Sequence, residues 1–294
     1  MLLVVILGLV AAGFACLAYA SLVELNWFAL RTHWVPCLPP GSKPVRVLHI
    51  SDLHFRNGHR RKRAFLARCA RTSPDLVVGT GDFLGSPDAV DATVDAMTQI
   101  RPATAALFVL GSNDYYRSTP TNPFKYLMGP SNRHEPKGKL NPWRDLVGGL
   151  EARGWRLINN TATAVSLDGL GAVDVVGLDD PHLRREDLSV ASPRDGDGFR
   201  LAVVHSPDAA PALAALGYDL IVCGHTHGGQ IRVPGVGALV TNSTLPRSMA
   251  RGLHRMNGAW LHVSAGMGTS PYAPIRFACR PEACVLELVP RDAP

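Results

Sequence analysis

Residues 45–54 read VRVLHISDLH. The β-branched, apolar run predicts a buried strand, and it breaks off into two side chains able to hold metal, Asp52 and His54. The same grammar recurs along the chain. Leu76 to Val78 runs into Gly79-Thr80-Gly81-Asp82, and Ala106 to Leu110 into Gly111-Ser112-Asn113-Asp114. Arg200 to His205 ends on a histidine, and Leu220 to Cys223 leads into Gly224-His225-Thr226-His227-Gly228-Gly229-Gln230. A further strand is expected over Ala172 to Gly177, with helices over 61–71, 88–100 and 208–216. Strand, polar loop and helix in alternation predict an α/β domain. The polar clusters follow the carboxyl ends of strands, where open α/β sheets place their sites.

Composition sets the frame. With 294 residues and 46% hydrophobic content, the chain can fill one large core beyond its N-terminal segment, which excludes a mostly disordered protein. Thirty basic against 24 acidic residues give +6 and a pI near 9.2, a balance that favours anionic lipid or phosphorylated substrates. No nucleic-acid-binding module is legible, so nucleic acid is not expected as a partner. The six cysteines lack CxxC spacing and the density of a disulfide scaffold. Only Cys279 and Cys284 stand close enough in sequence to suggest a bridge.

Residues 1–23 carry no charged side chain. As a helix they would rise about 34 Å, enough to cross a hydrocarbon core of about 30 Å. Ala18-Tyr19-Ala20 also fits a signal-peptidase site, but nothing basic precedes the run and its length favours a retained transmembrane anchor. Arg31, Lys43 and Arg46 follow it, which points the catalytic domain to the cytoplasmic face. Residues 24–44, proline-rich from 31 onward, read as a juxtamembrane tether, leaving 45–294 as the domain. An insert at 117–142 breaks the rhythm and reads either as a solvated loop or as a lid carrying Phe124, Tyr126, Leu127 and Met128. The run Arg60-Arg61-Lys62-Arg63 reads as a solvated helix face or as a contact for anionic headgroups or substrate phosphate.

Asp52 and His54, two apart, are expected to point to one side of an extended backbone, and so are His225 and His227. Asp82 follows a glycine that permits a tight turn. Asn113 and His205 close apolar runs, whereas His49, inside its strand, reads as packed core. Carboxylate, imidazole and amide together suit Mn²⁺, Fe or Zn²⁺ better than an all-oxygen Mg²⁺ or Ca²⁺ cage.

These blocks resemble the calcineurin-like metallophosphoesterases, whose ordered signature is D-x-H, G-D, G-N-H, H and G-H-x-H. Here they read Asp52-Leu53-His54, Gly81-Asp82, Gly111-Ser112-Asn113-Asp114, His205 and Gly224-His225-Thr226-His227, across residues 45 to 289. Glu24-Leu25-Asn26 and Arg276-Phe277 are similar to the membrane-anchored bacterial branch. The resemblance implies a four-layer α/β/β/α sandwich with an N-terminal transmembrane helix. It implies Asp52, His54 and His227 on one metal, Asn113, His205 and His225 on the other, and Asp82 bridging. Two ions about 3.5–4 Å apart would activate a shared hydroxide for in-line attack on a phosphodiester or pyrophosphate, with lipid-linked molecules near the membrane among the expected substrates. One departure stands out: the histidine of G-N-H, which helps protonate the leaving group, is missing. Asn113 keeps the ligand role if the block shifts by one, and Ser112 takes it otherwise. Asp114 then stands where the acid belongs, useful only if burial raises its pKa. The rival reading is a catalytically weak metal-binding membrane scaffold.

Overall fold

The computed structural model describes residues 1–120 and 138–292. Leu2–Asn26 form one continuous helix of 25 residues, mean hydropathy 2.6, whose apolar stretch packs against nothing in the protein. It runs as α1 (Leu2–Ala18), a π-helical turn Tyr19–Val23 and a 3₁₀ turn Glu24–Asn26.

In chain order there follow β1 (Ala29–Leu38), β2 (Val45–Ile50), α2 (Arg60–Ala70), β3 (Leu76–Thr80), α3 (Val90–Met97), β4 (Ala105–Val109), α4 (Ser112–Tyr115), α5 (Trp143–Glu151) and β5 (Trp155–Leu157). The second half adds β6 (Thr161–Leu167), β7 (Gly171–Gly177), β8 (Arg200–Val203), α6 (Ala210–Ala215), β9 (Leu220–Cys223), the short pair β10 (Arg232–Val233) and β11 (Gly237–Ala238), β12 (Gly252–Met256), β13 (Ala259–Val263) and β14 (Glu282–Pro290). Two six-stranded sheets result, ordered β1-β14-β2-β3-β4-β5 and β12-β13-β9-β8-β7-β6. β2 to β5 pair in parallel, as do β7, β8, β9 and β13.

Burial on both faces explains why these strands read as continuous apolar runs rather than alternating ones. Val47, Val78, Val109, Val203, Val222 and Leu286 meet between the sheets. Phe65, Val94, Met97, Leu146 and Phe108 pack helices α2, α3 and α5 on the outer face of the first sheet. Leu213, Ile221 and Leu261 pack α6 on the second. The layers are therefore helix, sheet, sheet, helix. The parallel strands aim their carboxyl ends at one rim, and the polar loops collect there.

One expectation needs correction. Residues 24–44 are not a tether, because 29–38 form β1, paired in parallel with β14, with Val35, Cys37 and Leu38 in the inter-sheet core. Arg31 on β1 pairs with Glu282 (2.5 Å), and Arg46 on the neighbouring β2 with Glu287 (2.7 Å), so half-exposed charges of this sheet are ion-paired to β14. Cys279 and Cys284 form no bridge; both are buried thiols. The lid residues Phe124, Tyr126, Leu127 and Met128 lie outside the described residues. The described ends of that insert are pinned together, with the Arg117 N–H donating to the Lys139 carbonyl at 2.8 Å and the Asn141 amide to the Asn113 carbonyl at 2.7 Å.

The foot of the N-terminal helix is built into the domain. Glu24 is 2% exposed, and its carboxylate accepts the backbone N–H groups of Ala278 (3.0 Å) and Cys279 (2.5 Å). The Arg276 N–H donates to the Ala20 carbonyl, and Tyr19 meets Phe277 edge-on. Glu24→Ala strands two buried donors and should cost about 2–3 kcal/mol, read as a lowered Tm of the full-length protein in detergent.

Candidate metal centre

The loop after β2 carries Asp52 and His54, that after β3 Asp82, the short helix α4 after β4 Asn113, the loop after β8 His205, and that after β9 His225 and His227. All converge. Asp82 lies in the middle: its Oδ2 is 3.6 Å from His54 Nε2 and its Oδ1 3.6 Å from His205 Nε2. On the first side, His54 Nε2 and His227 Nε2 are 3.3 Å apart, and His227 Nε2 is 3.7 Å from Asp52 Oδ1. Asp52, His54, Asp82 and His227 offer donor atoms all within 4.8 Å of one another. On the other side, His205 Nε2 and His225 Nδ1 are 3.2 Å apart, and the Asn113 amide touches Asp82 Oδ2 at 2.5 Å. Asn113, rather than Ser112, is thus the residue of that loop whose side chain meets Asp82.

The backbone at these positions departs from the extended geometry expected. Asp52 (φ 49°), His54 (φ 40°), Asp82 (φ 55°), His225 (φ 68°) and His227 (φ 50°) all lie in the left-handed region, five of eleven such non-glycine residues among those described. Each costs on the order of 1–3 kcal/mol and persists only where its surroundings over-determine it. Two supports are visible. The Asp114 carboxylate accepts N–H bonds from Asp82, Phe83, Leu84 and Gly111 at 2.7–3.0 Å, which fixes the turn carrying Asp82. Buried Lys62 turns inward from α2 and donates to the Leu53 carbonyl, between Asp52 and His54. Glycines allow the close approach: a methyl at Gly224 would overlap Ser51 Oγ and Asp52 Oδ2.

Tautomers follow from the fixed acceptors. A carbonyl only accepts, so contacts from His205 Nδ1 to the Thr80 carbonyl (2.6 Å), His225 Nε2 to that of Asn242 (2.9 Å) and His227 Nδ1 to that of Gly268 (3.1 Å) place a proton on each of those nitrogens. In the neutral rings, His205 Nε2, His225 Nδ1 and His227 Nε2 are then bare lone pairs aimed into the site. Burial holds His225 and His227 neutral by pushing their pKa values far down, and takes His54 to about 4. His205 is the exception: burial opposes its charge, but Asp82, Asp180 and Asp52 raise it to about 9. The cluster therefore draws in positive charge, a proton at least. Divalent cations fit these donors better, and the carbonyl bonds on the far nitrogens are those that orient metal-bound histidines.

A sequence model of the calcineurin-like phosphoesterase family matches residues 45–229. The chain belongs to that family. It is accordingly a metal-dependent phosphoester hydrolase of a dimetal family. The Escherichia coli phosphodiesterase YaeI is 26% identical over 95% of this chain and 94% of its own. An uncharacterized metallophosphoesterase of Bacillus subtilis, YkoQ, is 26% identical over 83% of each chain. The UDP-2,3-diacylglucosamine pyrophosphatase LpxG of Chlamydia trachomatis is 27% identical over 82% of this chain and 83% of its own.

Two residues at this rim escaped the sequence reading. His182 is 8% exposed with its ring 4.7 Å from that of His225, and Asp180 lies buried close enough to influence His205. Both follow β7 in Asp179-Asp180-Pro181-His182. They obey the strand-end rule that identified the others and could have been found by it. Asp114→Asn replaces one of the two acceptor oxygens by an NH₂, which then faces two of the four backbone N–H groups; we expect about 1–3 kcal/mol of lost stability together with weaker metal retention, measured by thermal unfolding and elemental analysis.

Proposed function

We propose that this chain is a membrane-anchored dimetal phosphoesterase cleaving a phosphodiester or pyrophosphate bond of a lipid-linked substrate. The observation that carries it is the pair of imidazole contacts, His205 with His225 and His54 with His227, on either side of Asp82. Asp52, His54 and His227 would hold one ion and Asn113, His205 and His225 the other, with Asp82 shared. A half-turn of the Asn113 amide brings its oxygen toward the site and its NH₂ toward Ser118 Oγ, now 2.7 Å from Asn113 Oδ1. When bound, two divalent ions (Mn²⁺, Fe or Zn²⁺) supply water activation and neutralise charge on the phosphoryl oxygens. Asp114 positions the Asp82 turn; burial and the nearby Asp82 charge raise its pKa to about 7, as an acid would need, but with both oxygens accepting amide N–H bonds it is not the leaving-group acid we assign. The reaction then favours leaving groups that depart without a proton.

Support for a lipid-linked substrate comes from the cavity beside His54. It measures about 490 Å³ and runs from His54 to the helix foot, its lining combining apolar Leu25, Phe28 and Met267 with basic Arg56, Arg60 and Arg61. An acyl chain along the former and a phosphate on the latter would suit an amphiphile entering from the bilayer, and the likeness to LpxG runs the same way. Arg31, Lys43 and Arg46 on the domain side of the helix support a cytoplasmic orientation.

With Mn²⁺ and bis-p-nitrophenyl phosphate, steady-state turnover should be abolished by chelation and restored by Mn²⁺, and Asp82→Ala should reduce it at least 10³-fold. Equal turnover by wild type and Asp82→Ala would sink the dimetal assignment. Aryl esters should outpace alkyl esters by about 10²–10⁴-fold, the contribution of a missing general acid. In mixed micelles, kcat/KM should be higher for an acylated sugar-nucleotide pyrophosphate than for its deacylated form; equal values would remove the lipid.

A further inference from the structure

A second cluster of metal-binding side chains lies away from the catalytic rim, between the two sheets. His33 on β1, Cys284 on β14 and His262 on β13 offer donor atoms all within 4.8 Å of one another. His262 and Cys284 are fully buried and His33 partly so. Both His33 Nε2 and His262 Nε2 are buried without a hydrogen-bond partner. A buried polar atom left unpaired costs about 1–3 kcal/mol, and two at one spot ask for a common explanation.

The state of His262 follows from a chain of hydrogen bonds. Ser51 Oγ donates to Asp52 Oδ2 (2.5 Å), and Thr80 Oγ1 donates to Ser51 Oγ (2.7 Å). Having given its one proton away, Thr80 Oγ1 accepts from His49 Nε2 (2.9 Å). His49, neutral in the core, therefore presents a bare Nδ1, which accepts from His262 Nδ1 at 2.9 Å. His262 Nε2 is left as a lone pair aimed at His33 and Cys284, whose ring and thiol face the same inter-sheet space.

We propose that His33 Nε2, His262 Nε2 and Cys284 Sγ form a second metal site that takes Zn²⁺, clamping the edge pair β1–β14 to the opposite sheet. Two imidazoles and a thiolate are a soft-to-borderline donor set matched to Zn²⁺ rather than to oxygen-seeking Mg²⁺ or Ca²⁺. Binding exchanges the Cys284 S–H proton, released to solvent, for a sulfur–metal bond. The ion also polarises His262, whose Nδ1–H begins the chain that ends on Asp52.

Sulfur distinguishes this site from the catalytic one, whose candidate ligands are all nitrogen and oxygen. The full-length protein in detergent, stripped and reloaded with Co²⁺, should show a near-ultraviolet thiolate-to-cobalt charge-transfer band. Cys284→Ser should abolish that band and His33→Ala should weaken it, with Cys284→Ser retaining the catalytic pair by metal count. Asp82→Ala, purified with Zn²⁺ available, should keep one tightly held ion per chain. A Co²⁺-loaded wild type without the band, a band unchanged in Cys284→Ser, or Asp82→Ala devoid of metal would each overturn the proposal. The wild-type spectrum alone decides the matter if Cys284→Ser fails to fold.

Discussion

Imidazole nitrogens separated by little more than 3 Å, as in His205 with His225 and His54 with His227, crowd their lone pairs unless positive charge lies between them. That constraint organises the rim of this protein. Asp82 touches both halves of the site, and its loop is fixed from below by Asp114. The rest of the rim follows from satisfying carboxylates and bare nitrogens around one centre.

Holding such a cluster together requires backbone that the chain would not choose by itself. Five candidate ligands sit at positive φ, and the energy that keeps them there comes from the packed sheets on which the loops stand. Strand ends give rigid attachment, and glycines at 111 and 224 let loops approach within contact. A buried lysine and a buried aspartate then satisfy loop amides and carbonyls that would otherwise face each other. The order of causes is core first, loops second, metals third.

The sequence discloses elements whose cause is local and conceals those whose cause is distant. Val45–Ile50 and Leu220–Cys223 are legible because burial on both faces leaves nothing but apolar residues. The candidate ligands are legible because polar residues after such runs have few other reasons to be there. β1 was concealed: Arg31 and Pro36 resemble linker, and only pairing with β14, some 250 residues away, makes Ala29–Leu38 a strand. Asp114 could be read as an acid from its place in a motif. Its four backbone partners come from folding and leave no mark in the motif. Lys62 reads with its three neighbours as a solvated face or an anion contact, and only the turn of α2 points it inward onto the Leu53 carbonyl.

One buried guanidinium ties these parts together. Arg276 is fully buried and donates to the carbonyls of Ala265, Gly268 and His227, while its own backbone N–H bonds Ala20 in the helix foot. Gly268 in turn accepts from His227 Nδ1, so one side chain touches two segments that orient a candidate ligand and, through its backbone, the apolar helix. A helix attached only by a flexible linker would let the site sample any height above a bilayer. Seated on Arg276 and Glu24, it fixes the mouth between Leu25 and Arg61 relative to the helix axis. The foot residues Glu24, Leu25 and Phe28 therefore belong to the site's geometry, and removal of the helix through Asn26 would take away part of the cavity's own wall.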